Sequence, residues 1–190
     1  MITTTCKIMA TGIALAILTA CGGGGDDGAA LPDSPLAKYV GSYQSCDMDN
    51  ELLIVNISQQ SSEILNMSLQ TDYFANKNCT GDLLATETLS SPFTVSYKST
   101  ESALVYGLES GAITTTVDSV LVTLPTTTIS LTGSGVVGNC VNIPNKRTCL
   151  NATTIPAGSS NGGLYINDSK FATLEKAGQI YTVDNILTRK

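Results

Sequence analysis

The chain has no histidine and no tryptophan among its 190 residues. Without histidine it lacks the base that most often activates a serine or cysteine nucleophile, and the commonest ligand of transition metals. Charge is also scarce. Asp, Glu, Lys and Arg make up 14% of the residues, ten basic against sixteen acidic, for a net charge of −6. With no cluster of Lys and Arg, this balance argues against nucleic acid as a partner and gives anionic headgroups no electrostatic hold. The sequence holds no Cys-x-x-Cys, no Ser-x-x-Lys and no long apolar stripe at helical spacing. These absences remove the usual zinc sites, the lysine-assisted serine hydrolases and helical bundles.

What is present begins with a targeting segment. After Lys7, the stretch from Ile8 to Leu18 (IMATGIALAIL) is apolar but too short to span roughly 30 Å of hydrocarbon as a helix. It suits the core of a signal peptide. Leu18-Thr19-Ala20-Cys21 follows, and GGGGDD after it ends the apolar run. This tetrapeptide resembles the lipobox of bacterial lipoproteins. The resemblance implies cleavage between Ala20 and Cys21, a diacylglyceryl group on the Cys21 thiol, and a membrane tether on the outside of the cytoplasm. Gly22 stands after the cysteine, and lipoproteins without aspartate there are commonly sorted to the outer membrane. Two or three acyl chains hold firmly, at about 0.8 kcal/mol per buried methylene.

With Cys6 discarded and Cys21 acylated, Cys46, Cys79, Cys140 and Cys149 remain. An even number in an exported chain reads as two disulfides with three connectivities open. Pairing of sequence neighbours, Cys46 with Cys79 and Cys140 with Cys149, is favoured because such partners meet easily across strands. The organisation expected is therefore a signal peptide over 1–20, a flexible Gly-, Asp- and Pro-rich tether over 21–36, and a single domain over 37–190.

Within that domain the dominant period is two. Leu65, Met67 and Leu69 alternate with polar residues, as do Phe93, Val95 and Tyr97, and then Val120, Val122 and Leu124. Thr-rich stretches such as ITTTV (113–117) favour strands through β-branching. The segments are separated by turn residues at 47–50, 76–78, 109–111, 158–163 and 167–169. The pattern predicts an all-β antiparallel domain of about eight to ten strands, a closed or nearly closed barrel, with a β-sandwich as the alternative. Gly41-Ser42-Tyr43 near the start and Arg189 near the end resemble the lipocalin and calycin barrels, which carry Gly-x-Trp in the first strand and a late basic residue over the aromatic ring. The resemblance implies a lipocalin-like barrel in which Arg189 covers Tyr43.

Four motifs bear on chemistry. Gly133 to Gly138 (GSGVVG) fits GxGxxG, but Asn139-Cys140-Val141-Asn142 does not open the helix that a dinucleotide needs, so a turn or bulged strand is expected. Gly158 to Gly162 (GSSNG) fits GxSxG without a base and reads as a surface loop. Asp47, Asp49 and Glu51 alternate as calcium ligands do, yet Leu52 and Ser58 stand where the loop needs glycine and glutamate. Lys146 and Arg147 form a basic dipeptide at the tip of the Cys140–Cys149 loop, a candidate contact for a partner. No metal or cofactor is expected. The function expected is that of a non-enzymatic, lipid-anchored binding protein, holding a small apolar ligand in its barrel or, alternatively, docking an envelope protein.

Overall fold

The computed structural model describes residues 34–46, 50–144 and 146–190. The leader, the Ala20–Cys21 cleavage and lipidation site, most of the tether, and Asp47 and Asp49 lie outside the described residues. The described chain is all β. Its elements are a 3-10 turn (Ala37–Tyr39), β1 (Gly41–Cys46), β2 (Glu51–Ser61), β3 (Ile64–Asn76), β4 (Thr80–Leu89), β5 (Phe93–Tyr106), β6 (Ala112–Leu124) and β7 (Thr127–Thr132). Short strands follow, β8 (Val136–Val137), β9 (Cys140–Ile143), β10 (Lys146–Cys149) and β11 (Thr154–Ile155), and then β12 (Gly158–Asn167), β13 (Lys170–Ala177) and β14 (Ile180–Arg189).

Eight of these strands form a nearly closed ring in the order β3-β2-β1-β14-β13-β12-β6-β5. Pairing of Ile64–Met67 in β3 with Phe93–Ser96 in β5 completes the circuit. The second half of β3 stays paired with β2 as far as Tyr73 but exchanges β5 for β4 on its other edge, from Gln70↔Thr88 to Asn76↔Thr80. β7 and β11 add to β4, so these three strands stand beside the ring as a flap. β8, β9 and β10 form a separate three-stranded sheet. Its Val141 and Ile143 pack on Tyr73 and Ala85 of β3 and β4.

Alternation explains the ring's core. Val55, Ile57, Leu65, Met67, Val95, Val120, Leu164, Phe171 and Leu187 all point inward from their strands. A second core lies on the other face of β12 and β13, where Ala172 and Leu174 meet Val117, Tyr181, Ala103 and Val105. β12 and β13 are therefore covered on both faces, which is why Gly162, Gly163 and Leu164 are buried in succession. Val95 and Ala103 have the same parity in β5 yet face different cores. The switch comes from a bulge: Tyr97 pairs with Val120 and Ser99 with Ser119, which skips Lys98. A second bulge in β14 skips Asp184, since Thr173 pairs with Asn185 and Leu174 with Val183. Each extra residue turns the strand so that its other face follows. Parallel pairing of Ile180–Thr182 with Leu104–Tyr106 then closes β5, β6, β12, β13 and β14 around the second core.

Two expectations change. Residues 158–162 are strand and not loop, paired with β6 from Gly158↔Leu124 onward. Their glycines answer to crowding on a two-faced strand rather than to a turn: a Cβ on Gly163 would lie 2.6 Å from the Tyr181 ring and 2.7 Å from Val117. Leu36, placed in the tether for its Pro-rich surroundings, is fully buried, so the fold reaches back past Ala37. The ring itself holds eight strands, within the number expected, and the fourteen strands among the described residues include the flap and the small sheet outside it.

Candidate functional site

The two ends of the ring differ. At one end the 3-10 turn folds across the opening and buries Leu36 and Tyr39. Phe171 receives both tyrosines, Tyr39 edge-on with ring centroids 6.0 Å apart and Tyr43 at 4.8 Å. The Tyr39 hydroxyl donates to Asp118 at 2.6 Å and lies 3.0 Å from the Leu164 carbonyl. Asp118 is 1% exposed, and Lys38 holds it from the surface at 2.8 Å. Thr100 donates to its other oxygen. Burial, and then the bond to Asp118, push the Tyr39 hydroxyl far above its ordinary value, so it remains a donor. From outside, Arg189 lies over the Tyr43 ring at 5.4 Å and donates to the Tyr43 hydroxyl at 3.1 Å and the Val40 carbonyl at 2.8 Å. Tyr39, Asp118, Tyr43 and Arg189, the polar groups described at this end, each have a partner. It is a plug.

The other end is open. A cavity of about 250 Å³ lies between Leu53 and Val55 of β2, Met67 and Leu69 of β3, Phe93 and Val95 of β5, and Val122 of β6, with Leu164 and Leu187 at its floor. Besides Gly162, Gly163 and Leu174, its remaining lining is polar and comes from β12, β13 and β14: Ser160, Asn161, Thr173, Glu175, Asp184 and Asn185. Asp184 is the bulged residue of β14 and accepts hydrogen bonds from Asn185 at 2.7 Å and Thr173 at 3.3 Å. A second cavity of about 200 Å³ lies beneath the flap, lined by Leu89 of β4, Ile129 of β7 and Ile155 of β11 and by the same Leu53, Leu69 and Phe93. The two share those three side chains, and together they reach the size range of small-molecule sites.

A separate polar cluster decorates the second core. Lys176 donates to Glu101 at 2.6 Å, the Tyr181 hydroxyl donates to the same carboxylate oxygen, and Lys176 lies 5.0 Å above the Tyr181 ring. The Lys176 bond, followed by that from Tyr181, lowers the Glu101 pKa, and the same bond to Glu101 raises that of Lys176.

The residues singled out in the sequence fall elsewhere. Cys46 is bonded to Cys79, tying the end of β1 to the β3–β4 turn, and Cys140 to Cys149 across the β9–β10 hairpin. These bonds mark a chain that folds in an oxidising, extracytoplasmic compartment. Lys146 forms an ion pair with Glu51 at 3.2 Å, while Arg147 stays exposed. Glu51 thus serves the β10 contact, and among the described residues no three acidic or cysteine side chains gather to hold a metal ion. Gly133 to Gly138 forms a turn and strand β8. Gly133, at φ +136°, lets the Leu84 carbonyl approach to where a Cβ would stand, and Gly135 donates to that carbonyl at 2.8 Å. Glu175 and Asp184 at the cavity rim were not singled out; the local signal is Asn185, which interrupts the apolar alternation of Tyr181, Val183 and Leu187 directly after Asp184. No family model matches the chain, and no curated protein or solved structure is significantly similar to it.

Proposed function

We propose that the chain is a non-enzymatic, lipid-anchored binding protein of the bacterial envelope, held at the outer membrane through Cys21 and carrying a small apolar ligand in a lipocalin-like ring. One observation carries the reading: the ring is plugged at one end and left open and apolar at the other. A barrel filled by its own side chains would leave no such space. The Arg189 cover on Tyr43 and the turn before β1 support the architectural likeness, although tyrosine replaces the family's tryptophan. The two disulfides agree with the compartment that the lipobox implies.

The test uses the full chain carrying Cys21→Ala, free of detergent, with the neutral dye N-phenyl-1-naphthylamine. The dye should brighten on binding, and Val122→Trp, which fills the cavity, should abolish the effect while circular dichroism stays unchanged. Undiminished binding by a folded Val122→Trp variant refutes the cavity reading. For the anchor, the unsubstituted chain should partition with membranes and the Cys21→Ala chain should not; equal partitioning refutes lipidation at Cys21.

A second reading, docking of an envelope protein, is favoured by Val137. It is 57% exposed on β8, an edge strand of the small sheet. Val137→Lys would then abolish co-purification of a partner and leave dye binding intact.

A further inference from the structure

We infer that the ligand is an elongated apolar molecule bearing one cationic group, an alkylammonium-type amphiphile, with its chain beneath the flap and its charge at the Glu175–Asp184 rim. This rests on the reading of the open end as a ligand cavity. Shape gives the first part. Leu53, Leu69 and Phe93 line both the ring cavity and the cavity under β4, β7 and β11, so the apolar space on the two sides of these side chains is elongated and not spherical. A compact ligand would leave half of it wet.

Charge gives the second part. Among the described residues no lysine or arginine lines either cavity, whereas Glu175 and Asp184 both line the ring cavity, on adjacent strands. An anionic headgroup there would face two carboxylates without a counter-charge, and a cation would meet both. Asp184 is also the residue that the β14 bulge extrudes from the ladder, and bulges re-aim side chains beside binding sites. Its bonds from Asn185 and Thr173 orient the carboxylate without neutralising it. The third acid of the groove, Glu87 beneath the flap, accepts the Tyr73 hydroxyl at 2.8 Å.

The experiment compares decylammonium, decanol and decanoate at pH 7, each below its micellar concentration, by calorimetry with the full chain carrying Cys21→Ala. The three share a chain and differ in head charge. Decylammonium should bind tightest and decanoate weakest, with about a tenfold gap from two screened, exposed charge contacts. The gap should narrow as salt rises. Glu175→Gln with Asp184→Asn should bring the three within about twofold while leaving decanol affinity unchanged. Glu109→Gln, in the β5–β6 turn, should change nothing and so controls for general attraction to an acidic protein. If decanol binds and the heads are not discriminated, or if the rim variant keeps the preference, the cationic assignment is overturned and the cavity stands. If none of the three binds, the cavity reading itself falls.

Discussion

Gly163→Ala tests whether β12 is truly packed on both faces. The position has no left-handed φ, so alanine meets no backbone strain there and the outcome reads packing alone. Its Cβ would lie 2.6 and 2.9 Å from two Tyr181 ring carbons and 2.7 Å from a Val117 methyl. Neither neighbour can give way. Val117 is fully buried, and Tyr181 is fully buried with its hydroxyl bound to Glu101 and Lys176 over its ring. Overpacking of this kind costs about 1–3 kcal/mol. For a domain of this size, a loss of ~2 kcal/mol lowers Tm by roughly 4–8 °C. Gly158→Ala is the control, on the same strand, with nothing within 4 Å of the added Cβ. It should be neutral or gain about 0.4–1 kcal/mol through the unfolded state. Thermal and urea melts followed by far-ultraviolet circular dichroism measure both, since no tryptophan is available as a probe. Equal stability of the two variants refutes the two-faced strand, and with it the second core.

Three further outcomes are expected. The Glu101 pKa is depressed from 4.5, so its contribution is present above that value and lost as pH falls through the folded pKa; that of Lys176 is raised from 10.5, so its share is present below that value and lost as pH rises beyond it. Both side chains are partly exposed, so the pair adds only a few tenths of a kcal/mol, and Lys176→Met should move the Glu101 carboxyl titration upward by NMR; an unmoved titration sinks the assignment. Removing Cys46–Cys79, which closes 33 residues, should cost about 4 kcal/mol, against about 3 kcal/mol for Cys140–Cys149, which closes nine; the reverse order in urea melts would contradict the chain-entropy account. Phe171→Ala should cost about 3–5 kcal/mol, because that ring supports both plug tyrosines, and a loss below ~1 kcal/mol would show that the plug closes without it.

Alternation made much of the ring legible. Leu65, Met67 and Leu69, and Phe93, Val95 and Tyr97, all face the core that their period assigns them. Period two reports that a strand has an apolar face and does not report which core that face meets. Tyr181, Val183 and Leu187 share one parity in sequence, interrupted only by Asn185, yet the Asp184 bulge sends the first two to one core and the last to the other. A skipped residue leaves no mark on composition, so neither the second core nor the flap could be read. Gly158 to Gly163 misled for a related reason. Glycine signals a turn when the chain is exposed, and close approach when it is crowded, and only the neighbours Tyr181 and Val117 decide between them. The rim was hidden likewise: Glu175 and Asp184 are nine residues apart and meet only through the β13–β14 register.

The division of labour between the two cores bears on why the cavity persists. An enclosed void of 250 Å³ would cost roughly 6 kcal/mol at about 24 cal/mol per Å³, as much as the whole stability of a small domain. Solvent at the open mouth lowers that figure without removing it, because the floor at Leu164 and Leu187 is apolar. Larger side chains at Val55 or Val122 would fill the space, and their volume is within reach of single substitutions. The ring does not fill it. Its closure rests instead on the aromatic plug around Phe171 and on the strands it shares with the second core, whose side chains are buried. Stability placed at the plugged end and on the far face of β12 and β13 leaves the open end free to remain underpacked. An underpacked, one-ended apolar cavity in a ring so braced is what a ligand site requires, and a barrel selected for stability alone has no use for it.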